Sequence, residues 1–155
     1  MKHKKMRYPV IIILGMLLLC NICTYAADMS GFPYQNPNHF SASYTRGLQA
    51  MLNDHSASHS SIGGTSGIDG DYGNRTAMAV AKFQGFKNIT VDGSCGPMTW
   101  ATLRNSLNLY MIDASHYYYY YMTNTSGLAK NRIVYQKSSN SDWYCYTGVR
   151  WKYVG

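Results

Sequence analysis

Apolar positions recur at helical spacing in three short stretches of this chain. In Tyr44–Leu52 the residues Tyr44, Leu48, Met51 and Leu52 fall on one face, which predicts a first helix. Asn74–Gln84 carries Ala79, Val80 and Phe83 as a stripe, and Pro97–Leu107 carries Trp100, Leu103 and Leu107 about a turn apart; these predict a second and a third. Residues 53–67 are mostly Ser, Gly and His, with Ile62 the one large apolar residue, the pattern of a flexible surface loop. After Asn108 the period changes. Five consecutive tyrosines, Tyr117–Tyr121, precede β-branched and aromatic runs at 131–136 and 143–154, with a Ser/Asn/Asp turn between those runs. This segment predicts two or three antiparallel strands. Residues 27–43, with Pro33 and Pro37, read as an irregular lead-in. The expected fold class is α+β: a small three-helix domain over 44–108, then a β-rich, Tyr-rich tail over 109–155.

Superimposed on this pattern is an internal repeat. Asp69-Gly70-Asp71-Tyr72-Gly73-Asn74-Arg75-Thr76 and Asp92-Gly93-Ser94-Cys95-Gly96-Pro97-Met98-Thr99 share the form D-G-x-x-G-x-x-T, and each leads into a predicted helix. Asp-Gly is a turn pair whose glycine accepts positive φ. Gly73 and Gly96 suit the N-cap position, and Pro97 suits the first helical position, where a missing N–H costs nothing. Thr76 and Thr99 then fall in the first turn, where a hydroxyl can bond the local backbone. Asp69, Gly70, Gly73, Asp92, Gly93 and Gly96 are therefore read as structural turn residues.

The N-terminus stands outside this organisation. Lys2, Lys4, Lys5 and Arg7 precede an 11-residue apolar run, Val10–Cys20, and Thr24-Tyr25-Ala26 offers small residues at a cleavage site. Residues 1–26 are expected to be a secretory signal peptide, too short to span a membrane comfortably. Its removal takes four of the 14 Lys and Arg and none of the seven acids, so the net charge falls from +7 to +3. Such a modest positive excess suits an anionic wall polymer and lacks the basic stripe that nucleic-acid binding wants. Neither a nucleic-acid partner nor, after cleavage, a membrane is expected. Cys95 and Cys145 are the two cysteines left in an exported chain and are expected to form a disulfide. It would close a loop of about 50 residues, worth roughly 4 kcal/mol in the chain-entropy account.

With the helices placed, Tyr44–Leu107 resembles the peptidoglycan-binding domain family, three-helix modules attached to many bacterial wall hydrolases. The residues that carry the resemblance are Leu48-Gln49 and Leu52, then Asp69–Gln84, then Val91–Leu103 with Gly96-Pro97-x-Thr99-Trp100. The resemblance implies binding to wall glycan or its stem peptide, with no catalysis by the module. Two departures stand out. Asn88 occupies a position where the family usually has Gly, and Asn is the residue that best tolerates left-handed φ there. The 53–67 loop is also longer than usual.

Candidate chemistry is sparse. There is no Glu, and Asp28, Asp54, Asp113 and Asp142 have no partner at a telling spacing, which weakens a glycosidase reading. His55 and His59 are four apart, with Asp54 adjacent, but they sit among serines and glycines and read as solvated loop histidines; no HExxH is present. Cys145 has no nearby His in sequence, and Cys95 lies inside a turn. No catalytic residue, metal site or cofactor is assigned. Phe83 and Trp100 read as core. The expected ligand residues are Tyr72 and Asp71 at the first turn, Arg75 at the mouth of the second helix and Arg104 on the third: a Tyr ring can stack on sugar, an Arg can pair with a stem-peptide carboxylate. The function expected is a secreted, wall-associated, non-catalytic peptidoglycan binder. The alternatives are a wall hydrolase or transpeptidase with its catalytic part in the tail, or a wall-anchored protein that holds a protein partner through its tyrosines.

Overall fold

The computed structural model describes residues 29, 31–112, 114, 117–122, 134–137, 142–146 and 151–154; the expected signal peptide lies outside them. Among the described residues four α-helices come first: α1 (Ala42–Asp54), α2 (His59–Ile62), α3 (Asn74–Phe86) and α4 (Pro97–Asn105). Five strands follow, β1 (Leu107–Ile112), β2 (Tyr117–Met122), β3 (Val134–Lys137), β4 (Trp143–Tyr146) and β5 (Trp151–Tyr153). They form one antiparallel sheet in the order β1-β2-β3-β4-β5. The architecture is α+β, as the sequence predicts.

The three predicted helices are present with their local signals in place. Gly73 and Gly96 are the extended N-caps of α3 and α4, and Pro97 opens α4. Asn88, just beyond α3, has φ 54°, the left-handed conformation expected of it. The third helix ends earlier than its apolar spacing suggested. Ser106 turns its hydroxyl back onto the Thr102 carbonyl at 2.8 Å, and Leu107 begins β1 instead of ending a helix.

Residues 53–67 are not the solvated loop that their composition predicts. They hold α2 and a 3₁₀ turn, Thr65–Gly67. The Ser58 hydroxyl donates to the Leu52 carbonyl at 3.0 Å, satisfying a group at the end of α1, and Ile62 is buried. His55 is fully buried, its ring edge-on to Phe83 and Phe86 with centroids 5.0 Å from each.

A single apolar core runs through helices and sheet. Leu48, Met51 and Leu52 of α1 meet Val80 and Phe83 of α3, Trp100 and Leu103 of α4, and Tyr120, Met122 and Trp143 of the sheet. Burying a side chain such as Phe83 contributes roughly 2–3 kcal/mol. Residues 31–41 of the lead-in form no helix or strand, and α1 takes up its last two residues; yet this stretch is packed: the Phe32 ring sits edge-on to Tyr44, Trp100 and Trp143, joining α1, α4 and β4. The sheet and the residue that follows it dock on α1. Gly47 leaves room for Val154, whose Cγ1 lies 2.7 Å from where a Cβ would stand. The Asp54 carboxylate accepts the Met122 N–H at 3.0 Å, so this acid serves the sheet.

The docking does not use a disulfide. Cys95 and Cys145 are both buried free thiols, and the predicted bond is corrected. Cys95 is held by backbone bonds to Gln35, and Cys145 by β4, whose register is set against Val134 and Lys152. Having the right number of cysteines supplied no geometry to bring them together.

Candidate functional site

The repeat is built by two buried glutamines, Gln49 and Gln84, which the sequence reading named only as carriers of the resemblance and gave no structural role. In the first turn the Asp69 carboxylate accepts the Asp71 N–H at 2.9 Å, closing the loop locally. Gly70 has φ 90°, and a Cβ there would stand 2.8 Å from the Ala42 carbonyl oxygen, so only glycine fits. Gln49 of α1 reaches into this loop. The two N–H donors of its Nε2 are shared among Asp69 Oδ1 at 2.8 Å, the Asp71 carbonyl at 2.9 Å and Thr76 Oγ1 at 3.0 Å. Its Oε1 accepts the Gly70 N–H at 2.9 Å.

The second turn repeats this arrangement. The Asp92 carboxylate accepts the Ser94 N–H at 2.8 Å, and Gly93 has φ 68°. The two N–H donors of Gln84 Nε2, on α3, are shared among Asp92 Oδ1 at 2.8 Å, the Ser94 carbonyl at 2.9 Å and Thr99 Oγ1 at 3.1 Å. Its Oε1 accepts from Gly93 N–H at 2.9 Å and Asp92 N–H at 3.0 Å. Both aspartates thus accept loop N–H bonds. A sequence signal for the glutamines exists: Leu48-Gln49 and Phe83-Gln84 each put a polar residue on or beside the apolar face of the helix that precedes a D-G turn.

Tyr72 ties the two copies together, and its expected role is corrected. The ring is 1% exposed, and its hydroxyl donates to the Gly93 carbonyl at 2.8 Å. Burial, reinforced by Cys95 and Asp92 nearby, holds that hydroxyl protonated far above the ordinary tyrosine range. A ring in this position has no free face for a sugar.

Each turn opens onto a shallow hollow. The first, about 280 Å³, is lined by Gln49, Asp69, Asp71, Asn74, Arg75 and Thr76 among others, so Asp71 and Arg75 share one hollow, and both are exposed. The second, about 290 Å³, is lined by the matching Gln84, Asp92, Ser94, Pro97, Met98 and Thr99, with Tyr34 beside them. Arg104 is on neither. It lines a separate hollow of about 170 Å³ with Met29, Pro97 and Ala101.

Both thiols and His55 are enclosed. Burial raises the Cys145 thiol to about 12 and pushes the Cys95 thiol well above its ordinary value, so neither is a ready thiolate. Burial and the positive Lys87 lower His55 to about 4, and its Nδ1 accepts the Ala57 N–H at 3.3 Å. This ring is neutral at ordinary pH, and the prediction of a solvated histidine is corrected. His59, half-buried, pairs its Nδ1 with the Asn53 carbonyl. Among the described residues no three His, Cys, Asp or Glu side chains gather as a metal site would need, and no helix is long and apolar enough to cross a membrane.

Residues 43–103 match the family model described as "Putative peptidoglycan binding domain". The match bears out the resemblance read from the sequence and takes in both turns, both glutamines and Tyr72. It supports cell-wall binding. No curated protein and no solved structure gives a match to the chain.

Proposed function

We propose, from the premise that residues 43–103 form a peptidoglycan-binding domain, that this is an exported protein that holds to the cell wall without cutting it. The observation that carries the reading is the family match over a domain whose two turns are built on one plan, each opening a hollow at the surface. Retention without cleavage is supported by the burial of both thiols and of His55, which leaves neither thiol an open path to a substrate carbonyl. The basic and apolar N-terminal segment supports export.

At the first turn, Arg75 and Asp71 are the proposed contacts. A guanidinium pairs with the carboxylate of a stem peptide, and a carboxylate receives its ammonium group or amide N–H. Arg104 is a peripheral contact in this reading, since its hollow is a different one.

The test is co-sedimentation with purified sacculi, with soluble reducing ends and free amino groups followed in the same tubes. Binding without release is expected. The double variant Asp71→Ala, Arg75→Ala is expected to bind about tenfold more weakly, roughly 1.4 kcal/mol, with its melting temperature unchanged because both side chains are exposed. Sustained release abolished by one Asp or Cys substitution would replace this reading with an enzyme. Undiminished affinity in the folded double variant would move the contact away from the first turn.

A further inference from the structure

We propose that the hollow at the second turn is a glycan subsite, and that Tyr34 is the ring on which a sugar stacks. The inference rests on the wall-binding reading and assigns the sugar strand, not the stem peptide, to this half of the domain. Tyr34 is 44% exposed, yet it is not loosely held. Its neighbour Gln35 makes both backbone bonds of an isolated bridge with Cys95, N–H to carbonyl at 3.1 and 2.8 Å. The buried Gln35 side chain also accepts the Ser41 N–H at 2.8 Å and the Thr45 hydroxyl at 3.1 Å. The Tyr34 ring therefore lies against Gly96, with Cε2 and Cδ2 3.1 and 3.2 Å from where a Cβ would be. An aromatic ring placed in advance offers a sugar its apolar face at little entropic cost.

The two hollows share a frame and differ at the rim. Where the first presents Asp71, Asn74 and Arg75, the second presents Ser94, Pro97 and Met98 at the matching positions. Both charges of the first rim are gone, and an aromatic ring and two apolar side chains have been added. Ser94, Thr90 and Asp92 remain as polar groups around this hollow. That combination suits an uncharged, hydroxyl-rich ligand: the C–H face of a hexosamine on Tyr34, its hydroxyls toward Asp92, Ser94 and Thr90, an acetamido methyl against Met98 and Pro97. Tyr34 lies outside residues 43–103, so the ring is supplied by the lead-in and not by the matched domain.

The test uses the purified full chain against three probes: intact sacculi, glycan strands stripped of their stem peptides, and free stem peptide. The wild type is expected to bind the stripped strands. Tyr34→Leu should weaken that binding about tenfold, while Tyr34→Phe, which keeps the ring, stays within about threefold. Stem-peptide binding should be the same for all three. If Tyr34→Leu fails to fold, Met98→Ala, at a side chain 63% exposed, carries the test and should weaken glycan binding several-fold. Binding of the wild type to sacculi but not to stripped strands overturns the glycan assignment and leaves wall binding intact. Equal glycan affinity in Leu, Phe and wild type overturns the role of the ring, and no binding to sacculi removes both readings.

Discussion

Gln84→Ala is expected to cost about 3–5 kcal/mol of unfolding free energy, a large part of the roughly 5–15 kcal/mol that a domain has. The side chain is 1% exposed and serves the Asp92 and Gly93 N–H groups, the Asp92 carboxylate, the Ser94 carbonyl and the Thr99 hydroxyl. A buried polar group left without a partner costs about 1–3 kcal/mol, and water can reach only part of this loop once the amide is gone. Urea denaturation measures the loss; a change below about 1 kcal/mol would mean that the turn holds itself without Gln84. Gln84→Glu separates size from chemistry. Its carboxylate can still accept both N–H groups but faces the Asp92 carboxylate, so its pKa in the folded state should lie above its unfolded value. A carboxyl raised in this way is least harmful while protonated. The variant should therefore gain stability relative to wild type as the pH falls through that raised pKa, and lose it as the pH rises.

Tyr72→Ala is expected to unfold the domain by about 3–5 kcal/mol, the usual cost of deleting a buried aromatic side chain. Tyr72→Phe isolates the hydroxyl and should cost about 1–2 kcal/mol, because the Gly93 carbonyl loses a buried donor. Wall binding by folded Tyr72→Phe should match wild type. A weaker wall affinity at unchanged stability would instead return Tyr72 to the ligand surface.

The parts of this fold that were legible from sequence are those settled within a few residues. Gly70 and Gly93 at positive φ, the Gly73 and Gly96 caps, Pro97 at the start of α4 and the left-handed Asn88 are all local geometry. Phe83 and Trp100 were legible as core because helical spacing puts them on buried faces. What failed depends on distant partners. Tyr72 next to a glycine suggests exposure, but its partner is 21 residues away on the other turn. Ser58 and His55 have loop-like composition, but one serves the end of α1 and the other fits between Phe83 and Phe86. Leu107 also fits the helical spacing of Trp100 and Leu103, so β1 was not read from Leu107–Ile112, and 143–154 held two strands, β4 and β5, where one run was read. At the candidate site, Asp71 and Arg75 could be placed beside the first turn because they lie two and six positions past Asp69 of a recognisable turn signal. Tyr34 was not: only its bridge through Gln35 to Cys95 brings it to the second turn.

The two glutamine-centred turns also differ in how much chain each must close. Gln49 lies 20 residues from Asp69, whereas Gln84 lies only eight from Asp92. For a flexible chain that difference favours closing the second loop by about 0.8 kcal/mol. The α3–turn–α4 segment is therefore the expected folding nucleus, with α1 recruited afterwards. Thr99→Ala, which strips a partner from Gln84, should slow refolding, while Thr76→Ala at the matching position should mainly speed unfolding. The symmetry of the finished structure would then hide an ordered assembly, in which the half rimmed by Pro97 and Met98 forms first and α1, bringing Gln49, closes the first turn against it.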